Sequence, residues 1–109
     1  MQRTLSLVLI IALLVIIGCA TVDVTKTGKG FFSPTRADDV EILMSNPDRV
    51  YEEVASISTH GWSPRSTAKM HNALRSKAAP VGANAVVLIN TGIDQDGNLW
   101  STGMAIRYK

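Results

Sequence analysis

A chain of 109 residues with a formal charge of +2 and a single cysteine is long enough for one small domain and little else. Eleven basic residues against nine acidic ones leave no strong charge excess, which argues against a nucleic-acid binder with its basic patch or stripe. One cysteine excludes an internal disulfide, thiol-pair redox chemistry, iron–sulfur clusters and cysteine-based zinc sites.

The chain opens with Arg3 and a run from Leu5 to Ile17 in which Ser6 is the only polar side chain. A basic start, a short apolar stretch and the small residue Gly18 make a secretory signal. The run is shorter than the roughly 20 apolar residues that span a membrane. Cys19 follows at once, and Ile16-Ile17-Gly18-Cys19 resembles the lipobox of bacterial lipoproteins: an aliphatic residue, a small or aliphatic residue, Gly or Ala, then Cys. The resemblance implies that the Cys19 thiol takes a diacylglyceryl group, that the chain is cut before it, and that the new amine is acylated. Residues 1–18 are then the signal peptide. Each buried methylene contributes about 0.8 kcal/mol, so several acyl chains on one cysteine hold a protein at a membrane almost permanently. In Gram-negative lipoproteins an Asp after the cysteine retains the protein in the inner membrane. Ala20 therefore favours the outer membrane, facing the periplasm. Arg3 leaves with the signal, so ten basic side chains face nine acidic ones in the mature chain.

Residues 19–38 read as a lipidated N-terminus and flexible tether, with Thr, Lys, Gly, Ser and Pro in turn-prone order. Phe31-Phe32 is the exception, packing onto the domain edge or touching the membrane surface. Residues 39–109 read as the folded domain. Val40, Ile42 and Met44 alternate as a first strand, and Ser45-Asn46-Pro47-Asp48 is a turn signal. Val50 to Ser58 reads as a second strand, with Glu52-Glu53 placing its start at an edge or bulge. His60-Gly61-Trp62 reads as a loop. Ser63-Pro64 starts a helix to about Ala79, Ser63 as cap and Pro64 at the first helical position. Thr67, Met70, His71, Leu74, Ala78 and Val81 share one stripe of it, with Arg65, Lys69, Asn72 and Ser76 opposite. Pro80 ends regular helix bonding and Gly82 suits a left-handed residue.

Ala85 to Ile89 is an unbroken apolar run, the mark of a strand buried on both faces. One helix covers one face; the tether, a second copy or a partner must cover the other. Asp96-Gly97 lies in a hairpin loop over 91–98, and Leu99 to Tyr108 is the last strand, with Trp100, Thr102, Met104, Ile106 and Tyr108 on one side. Gly103 marks a bulge or a close backbone approach. The expected fold is α+β: a four-stranded, mainly antiparallel sheet in the order β-β-α-β-β against one helix.

The stretch from Leu74 through Lys77-Ala78-Ala79 to Gly82-Ala83-Asn84-Ala85-Val86-Val87 resembles the helix-to-strand pattern of the Rcs-pathway envelope-stress sensor lipoprotein family and related small envelope lipoproteins. Pentameric proteins once labelled heavy-metal binders share a similar pattern. Small alanines let helix and strand approach closely, Gly82 permits the reversal, and Asn84 can bond loop backbone. The sensor family's disulfides have no counterpart here.

No residue pattern carries catalysis. His60 and His71 fit no zinc spacing. Asp94-Gln95-Asp96-Gly97-Asn98 lacks the closing acid of a calcium loop, since residue 105 is Ala. No nucleophile elbow or phosphate-binding loop occurs. Ser58, Ser63 and Ser66 lie near the histidines without an orienting acid, and the basic helix face reads as solvated. The expectation is a non-enzymatic lipoprotein without cofactor or metal. It acts as an interaction or envelope-sensor module, or alternatively as a self-assembling structural one. Its partners are membrane lipid through Cys19, an envelope protein or a second copy. Trp62, Trp100 and Tyr108 are the candidate partner contacts.

Overall fold

The computed structural model describes residues 20–109, which form a five-stranded mixed sheet with one helix on one face. The strands are β1 (Thr21–Lys26), β2 (Glu41–Leu43), β3 (Tyr51–Trp62), β4 (Ala85–Ile93) and β5 (Leu99–Tyr108). The helix, α1 (Thr67–Ala78), joins β3 to β4. Across the sheet the order is β1-β3-β5-β4-β2. Three pairings are antiparallel, and β2 with β4 is parallel. The α+β class and the mainly antiparallel sheet under one helix therefore stand as expected. The lipobox and signal lie outside the described residues.

The strand count changes because residues 21–38 belong to the fold and are not a tether. Val22 and Val24 point to the helix side, opposite Thr59 and Ile57 of β3, and pack on the core. Two alternating valines in a Thr- and Lys-rich segment suffice once β3 offers a free ladder. Past β1, Thr27 N and Gly28 N both donate to Val54 O, and Phe32 packs on the core. Thr35 N donates to Ala79 O at 2.9 Å, and Thr35 Oγ1 donates to Ala83 O at 2.6 Å. These bonds strap the segment to the end of α1. Ala20 alone remains between Cys19 and β1, and the domain begins at Thr21 rather than residue 39.

Two other boundaries move. His60-Gly61-Trp62 continues β3, because β1 supplies partners up to His60 and Leu99 pairs with Trp62. The helix starts at Thr67, since Ser63 to Ser66 close a turn first, Ser66 N donating to Ser63 O at 2.8 Å. Ser63 Oγ accepts from Arg65 N at 3.4 Å within that turn and does not cap the helix.

Met70, Leu74 and Ala78 are the buried face of α1, three of the six residues of the expected stripe. They pack with Val54, Ala55, Ile57, Val86, Leu88, Leu99 and Ala105 from the sheet. At the helix end Ala79, Ala83 and Ala85 are buried, and their small side chains let backbone lie close to backbone. Gly103 fulfils the expected close approach: a Cβ there would lie 2.7 Å from Val87 O. Asn84 Oδ1 accepts from Tyr108 N at 2.9 Å, so the turn asparagine holds the last strand.

Gly82 sits at φ +83°, where a side chain is strained, and a Cβ would fall 2.5 Å from Phe32 Cβ and 2.9 Å from Ser33 O. Gly82→Ala is expected to destabilise the domain by about 2 kcal/mol or more in urea unfolding.

Candidate functional site

The helix leaves the opposite sheet face open, and alternation decides what stands on it. Direct cross-strand partners share a face. From β5 come Trp100, Thr102, Met104, Ile106 and Tyr108, as the alternation predicts. From β3 come Tyr51, Ser56, Ser58 and His60, and from β4 and β2 come Ala85, Val87 and Leu43. Ala85, Val87 and Ile106 form a second buried cluster on this face, with Leu43, Tyr51, Met104 and Tyr108 packed against it. That cluster explains the unbroken apolar run of β4. Its second face is covered by the sheet's own long side chains and by the chain joining β2 to β3.

That connection makes a groove. Met44, Ser45 and Asn46 line it with Tyr51, Val87, Leu88, Ile89 and Met104, enclosing about 520 Å3. Met44 and Ile89, both in its lining, are exposed at 69% and 61%, so the lower part of this face is apolar to solvent. The upper part, where Thr21, Asp23 and Thr25 pair with His60, Ser58 and Ser56, is polar. The groove was not legible in the sequence. Met104 and Val87 could be placed on strand faces, but nothing local showed that residues 44–46 fold over them.

The three candidate partner residues separate. Trp62 packs on the helix side, against the main core. Its Nε1–H donates to Thr59 Oγ1 at 2.6 Å, and Thr59, itself buried, donates to Thr21 O at 2.7 Å. This relay pins the start of β1. Trp100 and Tyr108 share the open face, at opposite ends of β5, roughly 27 Å apart at the usual strand rise. The indole of Trp100 lies over Gly92, where a Cβ would come 2.9 Å from the ring. Tyr108 pairs with Tyr51, donates to Glu41 Oε2 at 3.1 Å and lies under the Arg49 guanidinium at 3.8 Å. Burial first, then the hydrogen bond to Glu41 and that carboxylate's charge, push the Tyr108 phenol above its ordinary value, against the pull of Arg49. Tyr108 thus clamps the edge strand β2.

The polar candidates are engaged in structure. His60 shares a 2.7 Å hydrogen bond with Thr21 Oγ1, across from β1. Asp94 Oδ1 accepts from Asp96 N at 3.0 Å and Asn98 N at 2.9 Å, which caps the hairpin loop. Arg75, on the flank of the basic helix face, donates to Val40 O at 3.0 Å and to Asn72 Oδ1 at 2.7 Å. Phe32 packs as a domain-edge residue, with Arg107 over its ring, while Phe31 is 89% exposed beneath Lys26. Among the described residues no three metal-ligating side chains gather into one cluster. What this face offers is contact: an apolar groove, a polar strip and an indole.

His71 lies half-buried on the border of the helix stripe. Burial, and next the Arg75 guanidinium one turn along, hold its imidazole below the ordinary 6.5. The unfolded chain therefore binds the proton more readily, and stability falls as pH drops through and below 6.5.

No family model matches this chain, and no curated protein matches it. Among solved structures it is similar to the Francisella virulence factor FvfA in its orthorhombic crystal form. The TM-score is 0.60 at 14% identity, over 80% of this chain and 97% of that one. The likeness shows a shared fold.

Two outcomes are expected. Trp62→Phe, which removes one donor to Thr59, should cost about 1 kcal/mol, and Thr59→Val, which also frees Thr21 O, should cost more and speed amide exchange in β1. His71→Gln should flatten the loss of stability between neutral and mildly acidic pH, read as the difference between the two proteins' urea midpoints.

Proposed function

We propose that this chain is a bacterial lipoprotein, held in the outer membrane by acylated Cys19 and facing the periplasm. Its α+β domain serves as a non-catalytic interaction module of the cell envelope. The observation that carries the reading is Ile16-Ile17-Gly18-Cys19 at the end of a basic-then-apolar signal. The start of the fold is in keeping with it: β1 begins at Thr21, two residues after Cys19, so a cut before the cysteine spares every described element. One residue spans at most about 3.6 Å, so the anchored domain rests against the bilayer and does not reach out from it. The resemblance to the envelope-stress sensor family supports a sensing or adaptor role. The open sheet face, with its groove and Trp100, is the surface for it, because an apolar patch rimmed by polar side chains is the usual form of an interaction site.

A second reading, a self-assembling structural lipoprotein, is favoured by one separate observation: among the described residues, part of β4 has a strand on one side only.

Intact mass of protein extracted from membranes tests the anchoring. The expected species lacks residues 1–18 and carries acyl groups on Cys19; Cys19→Ala should lose both changes. An unmodified Cys19 on a cleaved, unanchored chain would overturn the reading.

A further inference from the structure

β4 is an inner strand for only part of its length. β2 pairs with Ala85, Val86 and Val87 and then turns away over the open face, where Ser45 and Asn46 stand beside Leu88 and Ile89. Asn90 to Ile93 have β5 on one side and, among the described residues, no strand on the other. The alternation of the β4–β5 ladder says which groups are left. Asp94 N donates to Asn98 O, so the pair Asp94–Asn98 is hydrogen-bonded, as by alternation are Gly92–Trp100 and Asn90–Thr102. Thr91 and Ile93 therefore point their N–H and C=O groups outward.

Natural sheets guard such edges with charge. The outer strand β1 carries Asp23 and Lys26, and β2 carries Glu41. The stretch Leu88-Ile89-Asn90-Thr91-Gly92-Ile93 carries none. Ile93 is 54% exposed.

We propose that Asn90 to Asp94 pairs antiparallel with the same five residues of a second copy, about a two-fold axis at Gly92, joining two sheets into one. The register follows from the edge itself. The outward groups of Thr91 meet those of Ile93 in the other copy, and the reverse, giving four backbone hydrogen bonds. Both are β-branched and stand on the helix side, opposite Ser101 and Leu99. Gly92 then faces Gly92 as a non-hydrogen-bonded pair, the pair in which strands come closest, about 4.5 Å between Cα atoms. The two Trp100 indoles, each lying over its own Gly92, meet across the axis on the open face. An aromatic pair at the centre of a self-complementary patch is where interface energy concentrates. Asn90 opposes Asp94, so no like charges meet. The bulge between Leu88 and Asn90 disfavours a register that needs Ile89. A net charge of +2 leaves little repulsion between copies. An axis normal to the sheet puts the two Thr21 ends on opposite outer edges at one height along that axis, so one membrane holds both copies with the joined sheet lying along it.

The test is the protein mass, by light scattering, of the full chain purified in mild detergent, over a dilution series. The expected result is twice the single-chain mass, falling to one on dilution. Thr91→Pro removes an outward N–H and leaves the backbone bonds between β4 and β5, at the cost of the 3.0 Å bond between Thr91 Oγ1 and Ser101 Oγ, and Ile93→Lys puts a charge on the edge. Both should give one chain mass with an unchanged far-UV spectrum. A wild-type chain that stays single at every concentration overturns the proposal, as does a doubled mass that persists in Ile93→Lys. If Thr91→Pro loses its fold, Ile93→Lys decides alone. Because the assembly is read from mass, it is separate from whether Cys19 is acylated.

Discussion

The close approach between the end of α1 and the start of β4 is the constraint on which the remaining structure depends. Ala78, Ala79, Ala83 and Ala85 are buried there, and Gly82 turns the chain with a left-handed backbone. Because these side chains are small, backbone carbonyls stay within reach of neighbours from the whole chain. Thr35 bonds to Ala79 and Ala83, Arg107 Nη1 donates to Gly82 O at 2.9 Å, and Glu41 N donates to Asn84 O at 3.0 Å. Tyr108 N bonds to the Asn84 side chain. One short turn thus gathers the strap after β1, the parallel edge strand and the last strand. A larger residue there would disturb all three, since well-packed interiors do not absorb added volume locally.

The two faces of the sheet are filled by different means. On one, a short helix supplies Met70 and Leu74, and the core is continuous. On the other, the described residues supply no second layer, only the connection from β2 to β3 and the aromatic ends of β3 and β5. Tyr51, Tyr108 and Met104 cover Val87 and Ile106 closely enough to bury them. The upper half bears hydroxyls and His60, and it needs no cover. A domain with so little material to spare keeps its apolar surface where one loop can shade it, and the groove is what the loop fails to fill. The same shortage explains the edge of β4: three residues of β2 cannot pair a nine-residue strand.

Placement next to the bilayer, as the proposed anchor would give, would change what these surfaces can meet. With only Ala20 between Cys19 and β1, lipid anchorage would hold the sheet edge at the headgroups. Partners would approach from the side or from above, not along a tether. Under that arrangement an interaction through the β4 edge, on the far side of the sheet from β1, is left clear of the anchor.

The local patterns of this chain were readable because each is enforced by nearby residues. Alternation in β5, the apolar run of β4, the stripe of Met70, Leu74 and Ala78, and the turn at Gly82 all follow from periods of two and 3.6 and from backbone sterics. From them came the α+β class, the order of the later elements and the faces of Trp100 and Tyr108. The resemblance of residues 1–19 to a signal and lipobox, on which the proposed anchoring rests, is likewise a matter of linear order. The tertiary structure decided the rest. Val22 and Val24 become a strand only because β3 has a free ladder beside them. Trp62 turns inward because Thr59 accepts its N–H, although an exposed indole would look the same in the sequence. β2 pairs parallel with β4, each residue with one 44 positions further along the chain, and the groove arises where its continuation crosses the sheet. Contacts between residues distant in sequence depend on which edges and faces remain unsatisfied after the local elements form, and no local pattern records that.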